Sequence, residues 1–190
     1  MTKDDIICLP HPNLRLRSAK VNQLTDDIFK VIDNMKLATV SWDISRDHEV
    51  GVALAAVQIN QLYRIIIVRD NYEDKNNHDF TAFINPKITK LEGKLLEDYE
   101  GCLSVPNIYG KVKRYEKVRV KAQDINGKEF RITADGFLAR IFQHEIDHCE
   151  GKLFIDHIKN KPDAFFELDQ DGQLNQLDYE KDIRNNHILW

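Results

Sequence analysis

The 190-residue chain is poor in cysteine, in long apolar runs and in excess basic charge, and each shortage excludes a class of protein. Its three cysteines, at positions 8, 102 and 149, form no C-x-x-C pair, which predicts free thiols in a reducing compartment such as the cytoplasm. No apolar run approaches a membrane span, and residues 1–10 lack the apolar core of a signal peptide. The net charge of -4 offers no basic stripe, so we expect neither membrane nor nucleic acid as a partner.

The composition that is present is that of one globular domain. Hydrophobic residues make up 42% of the chain and charged residues 31%, which is typical of chains that fold around a single core. We expect this domain over residues 1–158, followed by a polar helix or tail over residues 159–190 that is not a separate domain. The basic cluster Lys111, Lys113 and Arg114 is interpreted as solvated strand surface.

Apolar spacing predicts two helices. In residues 25–39 apolar side chains recur at helical intervals, and Thr25 is positioned to cap the start of the helix. A polar stretch at residues 41–49 is interpreted as a loop. The second helix, residues 136–149, is apolar on nearly all sides and must therefore be buried.

Strands are predicted between these helices. Residues 63–69 and 80–85 are rich in β-branched and aromatic side chains, and a charged loop separates them. Alternation over residues 118–122 and 130–134, with Asn126 and Gly127 between, indicates a β-hairpin. The expected class is therefore α+β, with antiparallel β-sheets packed around a central buried helix.

The buried helix carries the pattern H-E-I-D-H at residues 144–148. Residues four apart lie on one helix face, so His144 and His148 can bind one metal ion. Glu145 projects from the same turn and is suited to exchange a proton with a water on that ion. The alternative is a helix that contains these residues by chance, but burial of unpartnered His and Glu is costly and disfavours it.

A catalytic site of this kind needs a third protein ligand. The extended protease pattern H-E-x-x-H-x-x-G-x-x-H fails, because Phe154 stands where its last histidine belongs. A later glutamate, Glu150 or Glu167, is a second possibility without a distinctive setting. Cys102 follows a glycine in a turn-like segment and is the third candidate, although an isolated cysteine is more often a small buried apolar residue.

Three segments in order resemble the signature motifs of peptide deformylases: residues 51–58 (GVALAAVQ), 100–104 (EGCLS) and 143–148 (QHEIDH). Shorter similarities extend the resemblance over residues 6–158, and three ordered motifs are far more specific than one. The resemblance implies the peptide deformylase fold and a hydrolase that removes the N-formyl group from the N-terminal formylmethionine of nascent polypeptides, releasing formate.

The same resemblance implies the roles of individual residues. Cys102, His144 and His148 would bind the metal, typically Fe²⁺, with Zn²⁺, Ni²⁺ or Co²⁺ as substitutes. A metal-bound water would attack the formyl carbon, with Glu145 as general base and acid. The side-chain amide of Gln58 and the backbone N–H of Leu103 would stabilise the developing oxyanion.

Substrate contacts follow from the resemblance and from helical spacing. The resemblance assigns peptide binding to Val52, Ala53, Glu100 and Gly101, where Ala53 replaces the usual glycine. Helical spacing adds residues of its own, since Phe137 and Ile141 precede His144 by seven and three positions. They would therefore wall an apolar pocket for the methionine side chain or, alternatively, belong to the core.

Two departures from the family pattern lie in the helix: Cys149 stands where leucine is usual and is interpreted as packing, and Arg140 introduces a charge that reaches solvent or pairs with a carboxylate.

The segment 159–190 has four Lys or Arg and seven Asp or Glu, so any proximity to the ribosome would be transient and not based on a basic tail. A zinc metallopeptidase and a structural metal-binding protein remain the alternatives.

Overall fold

The structure is a computed structural model that describes residues 1–46, 48–186 and 188, and the described part contains two α-helices and seven strands. The helices are α1 (Asp26–Ile44) and α2 (Gly136–Cys149). The strands are β1 (Ala53–Ala55), β2 (Ile65–Arg69), β3 (Phe80–Cys102), β4 (Val105–Gln123), β5 (Glu129–Asp135), β6 (Phe165–Leu168) and β7 (Leu174–Gln176). None of the described helices is long and apolar enough to cross a membrane.

All seven strands belong to one antiparallel sheet. Six of them follow the order β1-β2-β3-β4-β6-β7, and β5 pairs with β4 beside this path. The long strand β4 pairs with β3 along one edge. Its other edge is shared by β5, at residues 117–123, and β6, at residues 108–110. The predicted α+β class with antiparallel pairing is therefore confirmed.

The two helices pack on opposite faces of the inner strands. In β2, Ile65 and Ile67 join the apolar cluster of α1, whereas Ile66 and Val68 join the cluster of α2. Because successive strand residues point to opposite faces, a strand covered on both faces is apolar throughout, as β2 is. This arrangement places α2 in the interior, where the sequence predicts it.

The predicted hairpin and buried helix are both present. Val120 of β4 lies opposite Ile132 of β5, and Gly127 adopts a φ of 77° in the turn between the strands. The second helix has the predicted bounds, Gly136–Cys149. Most of its side chains are buried, and its apolar residues pack on all five strands from β1 to β5.

Two boundary predictions and one capping prediction are corrected. Helix α1 continues to Ile44, so the first part of the expected loop at 41–49 is helical because buried Asp43 forms an ion pair with Arg69 and thereby anchors the last turn. Asp47 of that loop lies outside the described residues. Thr25 occupies the cap position, but its side chain makes no capping hydrogen bond.

The strand expected at residues 80–85 continues to Cys102, because β4 supplies a partner over its whole length.

The segment 159–190 differs from the helix or tail that we expect from its polarity. It contains β6 and β7, followed by a helical turn at Tyr179–Arg184. Phe165 is completely buried against the same apolar cluster as Phe154, and β6 pairs with β4. Both strands are shorter than five residues, and alternation over so few positions is too weak to indicate a strand.

Candidate metal centre

Three soft and borderline donors meet where the end of β3 faces α2. The Cys102 thiol and the imidazoles of His144 and His148 offer ligand atoms that all lie within 4.8 Å of one another. Sγ of Cys102 is 3.2 Å from Nε2 of His148. Ligands on a tetrahedral zinc-like ion are about 3.3–3.6 Å apart, given metal–ligand bonds of about 2.0–2.3 Å. The donor set therefore fits one ion of this kind.

A buried carboxylate holds the first histidine in place. Glu100 accepts from Nδ1 of His144 at 3.0 Å, which leaves Nε2 of that ring for a metal. Such outer hydrogen bonds fix the tautomer and orientation of a ligating imidazole. Burial acts to raise the pKa of Glu100, but hydrogen bonds from His144 and Arg114 outweigh it and hold the pKa far below its usual range.

Two arginines neutralise this carboxylate. Arg114 donates to both oxygens of Glu100, at 2.9 and 3.0 Å, and Arg140 donates at 2.7 Å. Arg140 also donates to the backbone carbonyls of Leu96 and Val112, each at 2.9 Å. Of the two alternatives for Arg140, solvent or a carboxylate, the structure shows the carboxylate.

The interpretation of Arg114 as solvated surface is wrong. Arg114 is buried, and it bridges Glu100 to Asp147 of the H-E-I-D-H segment at 2.5 Å. Asp147 also contacts His157 at 2.7 Å. The sequence gives no signal for this bridge, because Arg114 meets its partners only through the β3–β4 register and the packing of α2 on the sheet.

The second carboxylate of the site has an unpaired oxygen. Glu145 is buried, and among the described residues its Oε2 has no hydrogen-bond partner. Burial raises the pKa of Glu145 to about 7. A carboxyl group with a pKa near neutrality can both take and return a proton. Glu145 therefore has the environment of an acid-base group rather than of a structural one.

Gln58 lies beside the cysteine donor. It belongs to the short helix Ala56–Ile59, and its Oε1 accepts from the backbone N–H of Ala55 at 2.8 Å. That bond directs Nε2 toward Sγ of Cys102, 3.5 Å away, and toward the hydroxyl of Ser104 at 3.2 Å. The side chain is buried, so Gln58 is not a surface amide.

A cavity of about 390 Å³ opens beside the donors, a size ordinary for small-ligand sites. Ile141 is buried in its wall, whereas Phe137 is 48% exposed at its edge. Of the residues predicted for the site, only His148 does not line the cavity. The others do: Val52, Ala53, Gln58, Glu100, Gly101, Cys102, Leu103, Phe137, Ile141, His144 and Glu145.

The alternative third ligands lie elsewhere. Glu150 forms ion pairs with Arg17 and Arg64, and Glu167 is exposed on β6. Leu168 and Leu174 line the cavity although they lie in the segment expected to be a tail, and sequence reasoning missed them. Their only sequence signal is a pair of apolar residues in polar surroundings.

Two histidines one helical turn apart, a cysteine donor and a buried carboxyl group are the constellation of a metal-dependent hydrolase. The model of the family described as polypeptide deformylase matches residues 3–163. A peptide deformylase of Halothermothrix orenii is 44% identical over 147 residues, which cover 77% of this chain and 88% of the relative. Peptide deformylase 2 of Clostridium acetobutylicum is 41% identical over 75% of this chain and 87% of the relative.

Solved structures agree with these relatives. A peptide deformylase from Synechococcus elongatus, solved in complex with actinonin, superposes with a TM-score of 0.73 at 36% identity, covering 82% of this chain and 80% of that one. The chain belongs to the polypeptide deformylase family. It is a metal-dependent hydrolase of the class that removes N-formyl groups from nascent polypeptides.

Proposed function

We propose that deformylation takes place at the Cys102–His144–His148 centre, with Glu145 as the group that moves protons. The observation that supports this most directly is the buried, unpaired carboxyl oxygen of Glu145, which lines the same cavity as Cys102 and His144. When bound, the metal would act as a Lewis acid that polarises the formyl oxygen and lowers the pKa of water.

Glu145 would take a proton from the water that attacks the formyl carbon. It would then deliver this proton to the departing amine as the C–N bond breaks. The formic acid that is released ionises, so the products are formate and the protonated N-terminal amine, and both atoms and charge balance. A carboxyl group with a pKa near neutrality can perform both transfers, which supports this assignment.

Gln58 and Leu103 would stabilise the charge that develops on the formyl oxygen. The Gln58 amide is fixed by its bond to Ala55 and points Nε2 toward the cysteine donor. Leu103 directly follows that cysteine and lines the cavity, so its backbone N–H is the second donor that we propose. Each donor of this kind typically contributes about a hundredfold to a thousandfold in rate.

The substrate that we propose is an N-formylmethionyl peptide. Phe137 and Ile141 supply apolar walls for the methionine side chain. Strand β1 lies at one end of the sheet order, so residues 52–53 have an edge at which an extended peptide can pair. Ala53 fits this edge with a small side chain that is buried toward α2.

Glu100 and Gly101, the first two residues of the second motif, have different contributions. Gly101 is required by packing, since a Cβ there would lie 2.6 Å from Cε1 of Tyr109. The side chain of Glu100 is engaged with His144 and two arginines, so we propose that it positions His144 and that the backbone of Glu100 supplies the contact with the substrate.

We propose Fe²⁺ as the metal, with Zn²⁺, Ni²⁺ and Co²⁺ as substitutes that the same donors accept. We propose the cytoplasm as the location, because nascent formylated chains are made there. The acidic segment 159–190 gives no electrostatic support for ribosome docking, so proximity to the ribosome would be transient.

Anaerobic purification with elemental analysis, followed by an assay of formate release from a formyl-Met peptide, tests the proposed function. We expect one metal per chain and release of formate. Cleavage of internal peptide bonds without formate would instead support the zinc metallopeptidase alternative. A tightly held metal without any hydrolysis would support a structural role.

A matched pair of cysteine variants tests the third ligand. Cys102→Ser should lower metal affinity, because serine is a poor ligand for borderline metals. Cys149→Ser, in the same helix as the histidines, should retain the metal, because Cys149 is buried in the apolar cluster of α2. Equal metal loss in both variants would overturn the assignment of Cys102.

A further inference from the structure

The cavity continues beyond the metal donors to the strand pair β6–β7. Leu168 and Leu174 line it, together with Gly172 of the connecting turn. The two leucines are directly opposite each other in the β6–β7 register, so their side chains are neighbours on one face of the sheet. Both are half-buried, unlike Phe165 and Phe166 of the same strand pair, which are buried.

The register connects this strand pair to the metal end of the cavity. Gly101 of β3 lies opposite Tyr109 of β4, and Tyr109 lies opposite Phe166 of β6. Directly paired residues share a face, and so do residues two apart on one strand. Tyr109, Leu168 and Leu174 therefore occupy the same face as Gly101, the residue that precedes Cys102.

Tyr99 completes this surface. It lines the cavity, and its ring packs edge-on against Phe166 with centroids 5.1 Å apart. We call the four cavity-lining side chains Tyr99, Tyr109, Leu168 and Leu174 the outer platform. Across the cavity, the segment that follows α1 approaches this platform: Glu49 accepts from the Tyr109 hydroxyl, and a Cβ on Gly172 would lie 3.2 Å from Cγ of His48.

The distance between the metal donors and the platform decides which residue of a substrate peptide reaches the platform. Neighbouring strands are about 4.8 Å apart, so β6 and β7 lie roughly 10 and 14 Å from the strand that ends at Cys102. An extended peptide advances about 3.4 Å per residue. A peptide whose formyl group is at the metal and that crosses these strands therefore reaches Leu168 and Leu174 of the platform with its third and fourth residues.

We infer that the outer platform binds apolar side chains at the third and fourth residues of the formylated peptide. This inference rests on the proposed function, which places the formyl group at the other end of the same cavity. The strand pair β6–β7 is thus a determinant of substrate preference. The half-buried leucines still expose apolar surface to the cavity, and covering this surface with an apolar side chain of the substrate would be favourable.

Steady-state kinetics of the metal-loaded full chain test the inference. The peptides are formyl-Met-Ala-Leu-Leu and formyl-Met-Ala-Ser-Ser, and the readout is the ratio of their kcat/KM values. We expect the native chain to favour the leucine peptide about tenfold, the effect of burying a modest apolar area. In the double variant Leu168→Ala/Leu174→Ala the ratio should fall toward one.

Glu167→Ala is the matched control. Glu167 lies between Phe166 and Leu168 on β6, so its side chain points to the face opposite the leucines. It should keep the native ratio. A native ratio near one, or a ratio that the double variant leaves unchanged, would overturn the inference. If the double variant does not fold, as judged by thermal melting, Leu174→Ala alone should still lower the ratio. Absence of formate from every peptide would instead refute the proposed function.

Discussion

Two buried glutamates lie beside the metal donors in opposite electrostatic surroundings. Glu100 is bonded by His144, Arg114 and Arg140, and these bonds hold its pKa far below the usual range despite burial. Glu145 keeps one oxygen without a partner among the described residues, and burial raises its pKa to about 7. These surroundings support the two roles that we propose: a carboxylate fixed in its charged form would position His144, and one near neutrality would exchange protons.

Glu145→Gln should give the largest effect. Glutamine has nearly the same shape but cannot take a proton, so we expect kcat for formate release to fall by about a hundredfold to ten-thousandfold. Metal content should not change, because Glu145 is not a ligand. The melting temperature should stay the same or rise, because a buried amide costs less than a buried carboxylate without a full set of partners.

Glu145→Asp is the control for that variant. It keeps a carboxyl group but shortens the side chain by one methylene, so it should recover part of the lost rate. Native-like turnover in Glu145→Gln would show that this carboxyl group is not the proton carrier.

Glu100→Gln should have the opposite pattern of effects: it should lower metal affinity and stability, and it should affect the rate only through them. Loss of an outer partner of a metal-ligating histidine typically lowers metal affinity about tenfold to a hundredfold. The free energy of unfolding should fall by about 3–5 kcal/mol, because Arg114 and Arg140 would remain buried without their carboxylate. Metal titration and chemical denaturation measure the two effects.

Glu92→Gln provides a matched change on the same strand. Glu92 pairs with Arg119 and Lys90 on the surface, where ion pairs contribute little. We expect native metal affinity and nearly native stability. If Glu100→Gln behaves like Glu92→Gln, the carboxylate of Glu100 does not hold His144.

These two glutamates also show how far the sequence predicts the site. The H-E-I-D-H spacing is local to one helix, so it predicts both histidines and Glu145 without tertiary information. The arginine partners of Glu100 come from β4 and from the turn of α2 that precedes His144, and no local pattern joins them to Glu100. Without these partners the sequence indicates a surface position for Arg114, whereas the residue is buried.

The same limit explains the missed strands. The boundaries of α2 follow from apolar spacing over fourteen residues. In contrast, β6 has four residues and pairs with residues 108–110, far away along the chain. Its existence depends on a partner that a local pattern cannot contain, and Leu168 and Leu174 reach the cavity only through that pairing.

Arg140→Met should have a smaller effect than either Glu145→Gln or Glu100→Gln. Arg114 still neutralises Glu100 in this variant, so we expect metal affinity to fall by less than Glu100→Gln lowers it. Some stability should be lost as well, since the carbonyls of Leu96 and Val112 lose a donor. Arg140→Lys should recover only part of both losses, because an ammonium group cannot span these acceptors as a guanidinium does.

A double-mutant cycle shows whether Arg140 acts through the carboxylate. If it does, Arg140→Met should cause no further loss of metal affinity in a Glu100→Gln background, because the group that transmits its effect is already absent. Metal titration of the two single variants and the double variant supplies the values. Fully additive losses would show that Arg140 supports the metal site by a route other than Glu100, and the contrast between the two glutamates would then not account for the role of this arginine.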